Sequence, residues 1–255
     1  MQAERSESNR REHLESLLRG RQFDRTLTSA ADAQPGDAAC ERWSVPTGIP
    51  DLDARLGGGI PRGQLSEVTG PRSSGRLAIL VSALAGATAR GEAVVLIDPL
   101  DMFDPASASA SGLDFARMLW VRGESPGSAR VSLSCEHGTL HKTLDRAVKA
   151  LNLVLQTGGF GLVVLDLGEI APQAIKRLPY TTWVRLQRVV EGRDTACVVI
   201  GSEPIARSAR GVSVQLSAPK VRSSQPEAVY LARVIRSRAM ETDLNVCVPV
   251  SAAAC

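Results

Sequence analysis

The sequence predicts an α/β fold with a mostly parallel central sheet, helices on both faces and antiparallel strands at its C-terminal end. Three observations predict it. Apolar runs of strand length alternate with helical stretches from residue 65 onward. Those runs are continuously apolar, as strands covered on both faces must be. One of them, Leu162-Val163-Val164-Leu165, closes on the acid Asp166.

Each element follows in order. Residues 5–26 read as an amphipathic helix, with Leu14, Leu17 and Leu18 at helical spacing and Phe23 extending the stripe. Residues 28–42 are small and polar with a Pro35-Gly36 turn, so 1–42 is an N-terminal helix and linker and 43–255 the core domain. Strands are expected at 65–69, 93–98, 118–121, 162–166 and 197–200, and helices at 76–89, 113–117, 140–156 and 184–190. The helix at 140–156 carries Leu144, Val148, Leu151 and Leu155 on one face. The Ala/Ser patch 106–111 is a loop or a helix start. The last third offers short strands at 212–216, 228–235 and 245–250.

Composition narrows the class. With 255 residues, 44% of them hydrophobic, the chain buries a real core and is not disordered as a whole. Its longest apolar run, 78–89, is broken by Ser82, Gly86 and Thr88 and is too short for a bilayer, so no membrane span is expected. The polar N-terminus lacks the apolar stretch of a secretory signal, which predicts a cytoplasmic protein. Five scattered cysteines without a C-x-x-C pair suit reduced thiols better than disulfides or zinc. His137 and His141 are four apart, but only Cys135 and Glu136 accompany them, so no metal is expected. Trp43, Trp120 and Trp183 are assigned to packing.

The net charge of +3 hides an asymmetry. Residues 204–238 hold Arg207, Arg210, Lys220, Arg222, Arg233, Arg236 and Arg238 against Glu227 alone, a local +6 that leaves the remainder near −3. Guanidinium groups release counterions from phosphate, so this stretch is a candidate DNA-binding region; an acidic protein partner or a solvated face uses the same residues equally well. Alternation along 229–238 would put Arg236 and Arg238 on one face. Tyr230 is the only aromatic nearby, which predicts sequence-independent, salt-sensitive binding.

Between the first strand and its helix lies Gly70-Pro71-Arg72-Ser73-Ser74-Gly75-Arg76-Leu77, where a phosphate-binding loop would sit. The working pattern is G-x-x-x-x-G-K-[ST], in which Lys neutralises phosphate oxygens and the hydroxyl holds Mg²⁺. Gly70 and Gly75 keep the spacing, while Lys has become Arg76 and the hydroxyl Leu77. Leucine offers no oxygen to a metal. Asp166 stands where such proteins place a Mg²⁺-binding acid, although an acid there also serves as a helix cap.

The series Thr47-Gly48…Leu52-Asp53, Leu56-Gly57-Gly58-Gly59-Ile60-Pro61-Arg62-Gly63 and Glu67-Val68-Thr69-Gly70-Pro71-Arg72-Ser73-Ser74-Gly75 strongly resembles bacterial RecA recombinase. The likeness continues at Leu96-Ile97-Asp98-Pro99-Leu100-Asp101-Met102-Phe103-Asp104-Pro105, loosens to about residue 201 and is vague beyond. It implies a RecA-like core. It also puts the water-activating acid at the position of Leu100 and the sensor glutamine at that of Ser202, so base and sensor are missing together with the Lys and the Mg²⁺ hydroxyl. Four concurrent losses predict a protein that is not an ATPase and takes no cofactor or metal. Asp98, Asp101 and Asp104 are then expected as caps and turn formers.

A RecA-like core with a degenerate P-loop and this length resembles the ImuA family, the RecA-related accessories of the bacterial SOS mutasome. That resemblance implies a non-catalytic adaptor in translesion DNA synthesis and DNA repair, cytoplasmic and nucleoid-associated, that touches RecA, ImuB and DNA. The stripe Leu14, Leu17, Leu18 and Phe23 would dock onto RecA or onto a second copy in a homo-oligomer, or fold back on its own core. Two alternatives stand beside it: an atypical RecA-like ATPase, with Arg76 for Lys and Mg²⁺ on Asp166, and a cell-division inhibitor of the SulA kind.

Overall fold

The computed structural model describes residues 43–123, 137–205, 211–217, 229–236 and 245–249. The N-terminal stripe, with Leu14, Leu17, Leu18 and Phe23, lies outside the described residues, as do Arg207, Arg210, Lys220, Arg222 and Arg238.

Ten strands and six helices order the described chain: β1 (Ser44–Val45), α1 (Pro50–Leu56), β2 (Ile60–Pro61), β3 (Leu65–Thr69), α2 (Arg76–Ala89), β4 (Val94–Asp98), α3 (Pro105–Ala110), β5 (Met118–Arg122), α4 (His137–Thr157), β6 (Leu162–Asp166), α5 (Pro172–Lys176), α6 (Tyr180–Val190), β7 (Ala196–Gly201), β8 (Ser213–Leu216), β9 (Val229–Arg236) and β10 (Asn245–Pro249). A 3-10 turn, Phe115–Arg117, leads into β5. β1 and β2 form a small antiparallel pair, and the remaining strands make one sheet in the order β10-β9-β8-β3-β7-β6-β4-β5. The six strands from β8 to β5 run parallel; β9 and β10 are antiparallel, with a register shift at Ser213/Val214 where β8 meets β9.

The continuous apolar runs are explained by two buried layers. Successive strand residues point to opposite faces. Val94 and Leu96 of β4, Leu162 and Val164 of β6, and Val198 and Ile200 of β7 pack into a layer with Leu52, Ile79, Leu80 and Leu84 from α1 and α2. Val95 and Ile97, Val163 and Leu165, and Cys197 and Val199 face the other way, onto Leu144, Leu151, Leu155, Trp183 and Leu186 of α4 and α6. Truncating a fully buried leucine such as Leu165 costs about 2–5 kcal/mol, so each layer is essential. Burial also pushes the Cys197 thiol up to about 12, which keeps it an inert packing group.

Trp43 departs from its expected packing role. β1 turns Ser44 and Val45 inward, and Trp43 just ahead of it is left 69% exposed. Trp183 is buried, and Trp120 stacks edge-on against Phe103 at 5.3 Å between ring centroids, with Arg122 over its face at 4.4 Å. No helix among the described residues is long and apolar enough to cross a membrane.

In an open parallel sheet the loops after the strands gather at one edge. Here the exits of β3, β6 and β7 are neighbours. The Gly70 amide donates to Gly201 O at 3.1 Å and the Leu167 amide to Ile200 O at 2.9 Å. That edge carries the loop 70–77, the connection 167–171 and residues 201–205.

Candidate functional site

The loop 70–77 is tightly curled. Ser73 takes φ 58 and Gly75 φ 84, the second a value that glycine adopts without steric cost. Helix α2 begins directly at Arg76. The motif's first glycine is equally constrained, since a Cβ on Gly70 would lie 2.5 Å from Ser74 Oγ and 2.9 Å from Leu216 O.

Its side chains do something other than grip phosphate. Arg76 is buried, with 6% of its side chain exposed. Its Nη1 donates to Gly70 O at 2.6 Å and its Nη2 to Oε1 of Glu169. The guanidinium approaches the turn at Gly168, where a Cβ would come within 2.9 Å of Nε, Cζ and Nη2, so a side chain there would force the guanidinium to shift. Arg72, largely exposed, reaches the other oxygen of the same carboxylate, Oε2 of Glu169, at 2.9 Å. Leu77 stands 42% exposed at the metal-hydroxyl position and supplies no oxygen.

Asp166 is partly exposed by surface area yet strongly desolvated. Burial pushes its carboxyl up to about 6; the Gly168 amide at 2.8 Å opposes that rise, and the negative charge of Asp98 adds to it. The bond to Gly168 makes Asp166 a turn former and not a helix cap, since α5 starts only at Pro172 with Ala171 at its N-cap. Leu100, at the water-activating position, is 5% exposed in the apolar layer of Ile97, Leu144 and Leu165. Ser202, at the sensor position, has a buried hydroxyl with no hydrogen-bond partner among the described residues. An engaged arginine, a leucine in place of the hydroxyl and a core leucine in place of the base do not fit a magnesium-bound triphosphate.

Asp98 and Asp104 serve as turn former and cap, as expected, whereas the carboxylate of Asp101 is an ion-pair partner. Asp98 accepts the amides of Met102 and Phe103 at 3.0 and 2.8 Å. Asp104 caps α3 through the amides of Ala106 and Ser107. Asp101 forms a two-pronged pair with Arg122 at 2.7 and 2.9 Å, which holds its carboxyl below the usual range. His141 lies on α4, while Cys135 and Glu136 are outside the described residues. Arg233 and Arg236 lie on β9, between β8 and β10.

Sequence reasoning missed Glu169 and Gly168, and it missed a cavity of about 400 Å³ where residues 201–205 face α5 and α6. Trp183, Tyr180, Ile175, Ile205 and Ser202 help line it, and the Lys176–Glu203 ion pair spans 2.7 Å beside it. The alternation of Pro, Ile, Leu and aromatic residues over 172–183 was the available signal.

Sheet order, two covered faces and a glycine-bounded loop at the exit of a central strand define a RecA-type α/β core. The comparisons agree with that class. The family model of the RecA N-terminal domain matches residues 24–132. Protein RecA of Streptomyces coelicolor is 29% identical over 156 residues, covering 60% of this chain and 37% of the relative. Protein RecA of a Nostoc species is 34% identical over 109 residues, covering 42% of this chain and 30% of the relative. The chain thus spans only about a third of the length of these curated relatives. The crystal structure of the RadB recombinase superposes with a TM-score of 0.53 at 16% identity, covering 81% of this chain and 96% of that one, which shows a shared fold. Together these similarities show a RecA-like fold and a resemblance to RecA over part of the chain.

Proposed function

We propose that this chain is a non-catalytic RecA-like adaptor in SOS-induced translesion synthesis and DNA repair, of the kind its resemblance to ImuA implies, associating with RecA, ImuB and DNA. One observation carries the non-catalytic reading: the Arg76 guanidinium is committed to Gly70 O and Glu169 inside its own chain. A group that must meet a triphosphate cannot be spent on an internal carboxylate and remain available. Leu77 and Leu100 add to it, one lacking an oxygen for metal and the other built into the core.

An adaptor of this kind works through surfaces. The RecA-like core offers the shape for contact with RecA itself, and the basic stretch 204–238 offers phosphate contacts without sequence reading. The test is RecA filament formation and strand exchange with and without this protein, beside an ATP-hydrolysis control. The proposal expects altered filament behaviour at stoichiometric protein and no phosphate release. Unchanged RecA activity, or turnover by the protein alone, defeats it. DNA affinity should fall with salt along a clearly negative log–log slope, and a slope near zero removes DNA from the list of partners.

A further inference from the structure

Glu169 sits in the connection between β6 and α5, three residues past the strand-end acid, with 28% of its side chain exposed. Both of its oxygens are taken by guanidinium groups from the loop 70–77. Arg72 Nη2 meets Oε2 at 2.9 Å and Arg76 Nη2 meets Oε1. The two arginines bracket Ser73 and Gly75, whose positive φ values curl the loop. Inside that curl Ser74 is fully buried, and its hydroxyl has no hydrogen-bond partner among the described residues. A carboxylate offers arginine the same two-oxygen, negatively charged edge that a phosphoryl group offers. The loop therefore already holds an anion, and that anion belongs to the chain.

We infer that Glu169 is a built-in anionic occupant of the loop 70–77, clasped by Arg72 and Arg76, and that removing its charge turns the loop into a binding site for a free oligophosphate. This rests on the non-catalytic reading and deepens it by naming what keeps the site shut. Arg76 is not a poor substitute for lysine in this account. It is one half of a latch, and the longer planar side chain is what lets it reach Gly70 O and Glu169 at once. The latch also joins the β3 exit to the β6 exit. Gly168 leaves room for it, because a side chain there would displace the guanidinium from this position.

The experiment uses the full chain and inorganic pyrophosphate as the probe, with binding read by isothermal titration. Glu169→Gln keeps the shape of the side chain and removes its charge. The expected result is pyrophosphate binding at least tenfold tighter than in the unaltered protein, with most of the gain lost when Arg72→Ala is added. Affinities equal within twofold overturn the inference, and so does a gain that Arg72→Ala leaves intact. If E169Q folds only when refolded in millimolar pyrophosphate, carboxylate and free anion are interchangeable and the inference stands. If it fails to fold with and without pyrophosphate, the carboxylate is a structural strut and the inference falls. Failure of the non-catalytic reading itself would show elsewhere, as phosphate release from ATP by the unaltered protein.

Discussion

A single oxygen of Asp53, Oδ1, accepts both the backbone amide and the hydroxyl of Thr47, each at 2.7 Å, while Oδ2 takes the Gly48 amide at 3.2 Å. The first RecA-like motif, Thr47-Gly48…Leu52-Asp53, is thus a carboxylate-capped turn with Leu52 buried beneath it. Burial raises the Asp53 carboxyl, and the three donors resist that rise. The motif has an architectural role in this chain.

Asp53→Ala should destabilise the fold by about 1–3 kcal/mol, because it leaves three donors without their acceptor. Urea denaturation followed by circular dichroism measures this. Thr47→Val should cost less, since it removes the hydroxyl's bonds to Asp53 and to the Ile49 amide but keeps the two amide bonds to the carboxylate. A loss in Thr47→Val as large as in Asp53→Ala would contradict the capping role.

Restoring the motif should not restore chemistry. In Arg76→Lys/Leu77→Thr the loop again reads as a nucleotide motif, yet position 100 stays a core leucine with no proton acceptor. A missing general base is typically worth ~10²–10⁴ in rate, so ATP hydrolysis should remain at background. Sustained phosphate release from the double variant would show that another acid serves as base.

The strands of the large sheet were legible in the sequence, whereas the two-residue strands β1 and β2 and the latch were not. β3, α2 and β6 have the predicted bounds because buried parallel strands are unbroken apolar runs and α2 opens on the glycine-bounded loop. α4 begins three residues before the expected 140, since its apolar stripe starts only at Leu140. α1 and α5 went unseen because a helix of seven or five residues shows too little of the 3.6-residue period. The vestigial loop could be found from its glycines, whereas Glu169 lies 93 residues from Arg76 and only the sheet order brings them together. The basic region was assigned from its charge and the N-terminal stripe from its helical spacing, and most of their residues lie outside those described.

Asp166 predicts a pH dependence with a definite sign. Its folded carboxyl titrates near 6, above the ordinary 3.8, so the neutral form is the one the fold prefers. The favourable contribution is complete below about 4 and is lost as pH rises through 6. The gap is worth on the order of 3 kcal/mol. Asp166→Asn mimics the neutral form and keeps an acceptor for the Gly168 amide. Its stability relative to the unaltered protein should therefore climb between pH 4 and 7 and then level off. A difference that is flat across that range in urea melts would contradict the raised carboxyl.

Glu67 supplies the last test, because it is a buried acid in the central strand β3 with donors from two other segments. Its Oε2 accepts the Ile205 amide at 2.8 Å and its Oε1 the Ser213 hydroxyl at 2.7 Å. One side chain thus ties the exit of β7 to the start of β8, across residues 201–213. Leaving a buried donor without its acceptor costs about 1–3 kcal/mol, so Glu67→Ala, which frees two, should cost about 3 kcal/mol in urea unfolding. Ser213→Ala removes one donor and should cost about 1–2 kcal/mol. Because both substitutions sever the same bond, their combination should cost less than the sum, with a coupling of roughly 1 kcal/mol in a double-mutant cycle. Limited proteolysis should also cut Glu67→Ala faster than the unaltered chain between residues 201 and 213, where the tie has been released. Additive losses with an unchanged cleavage pattern would mean that Glu67 is held by the core and holds nothing in return.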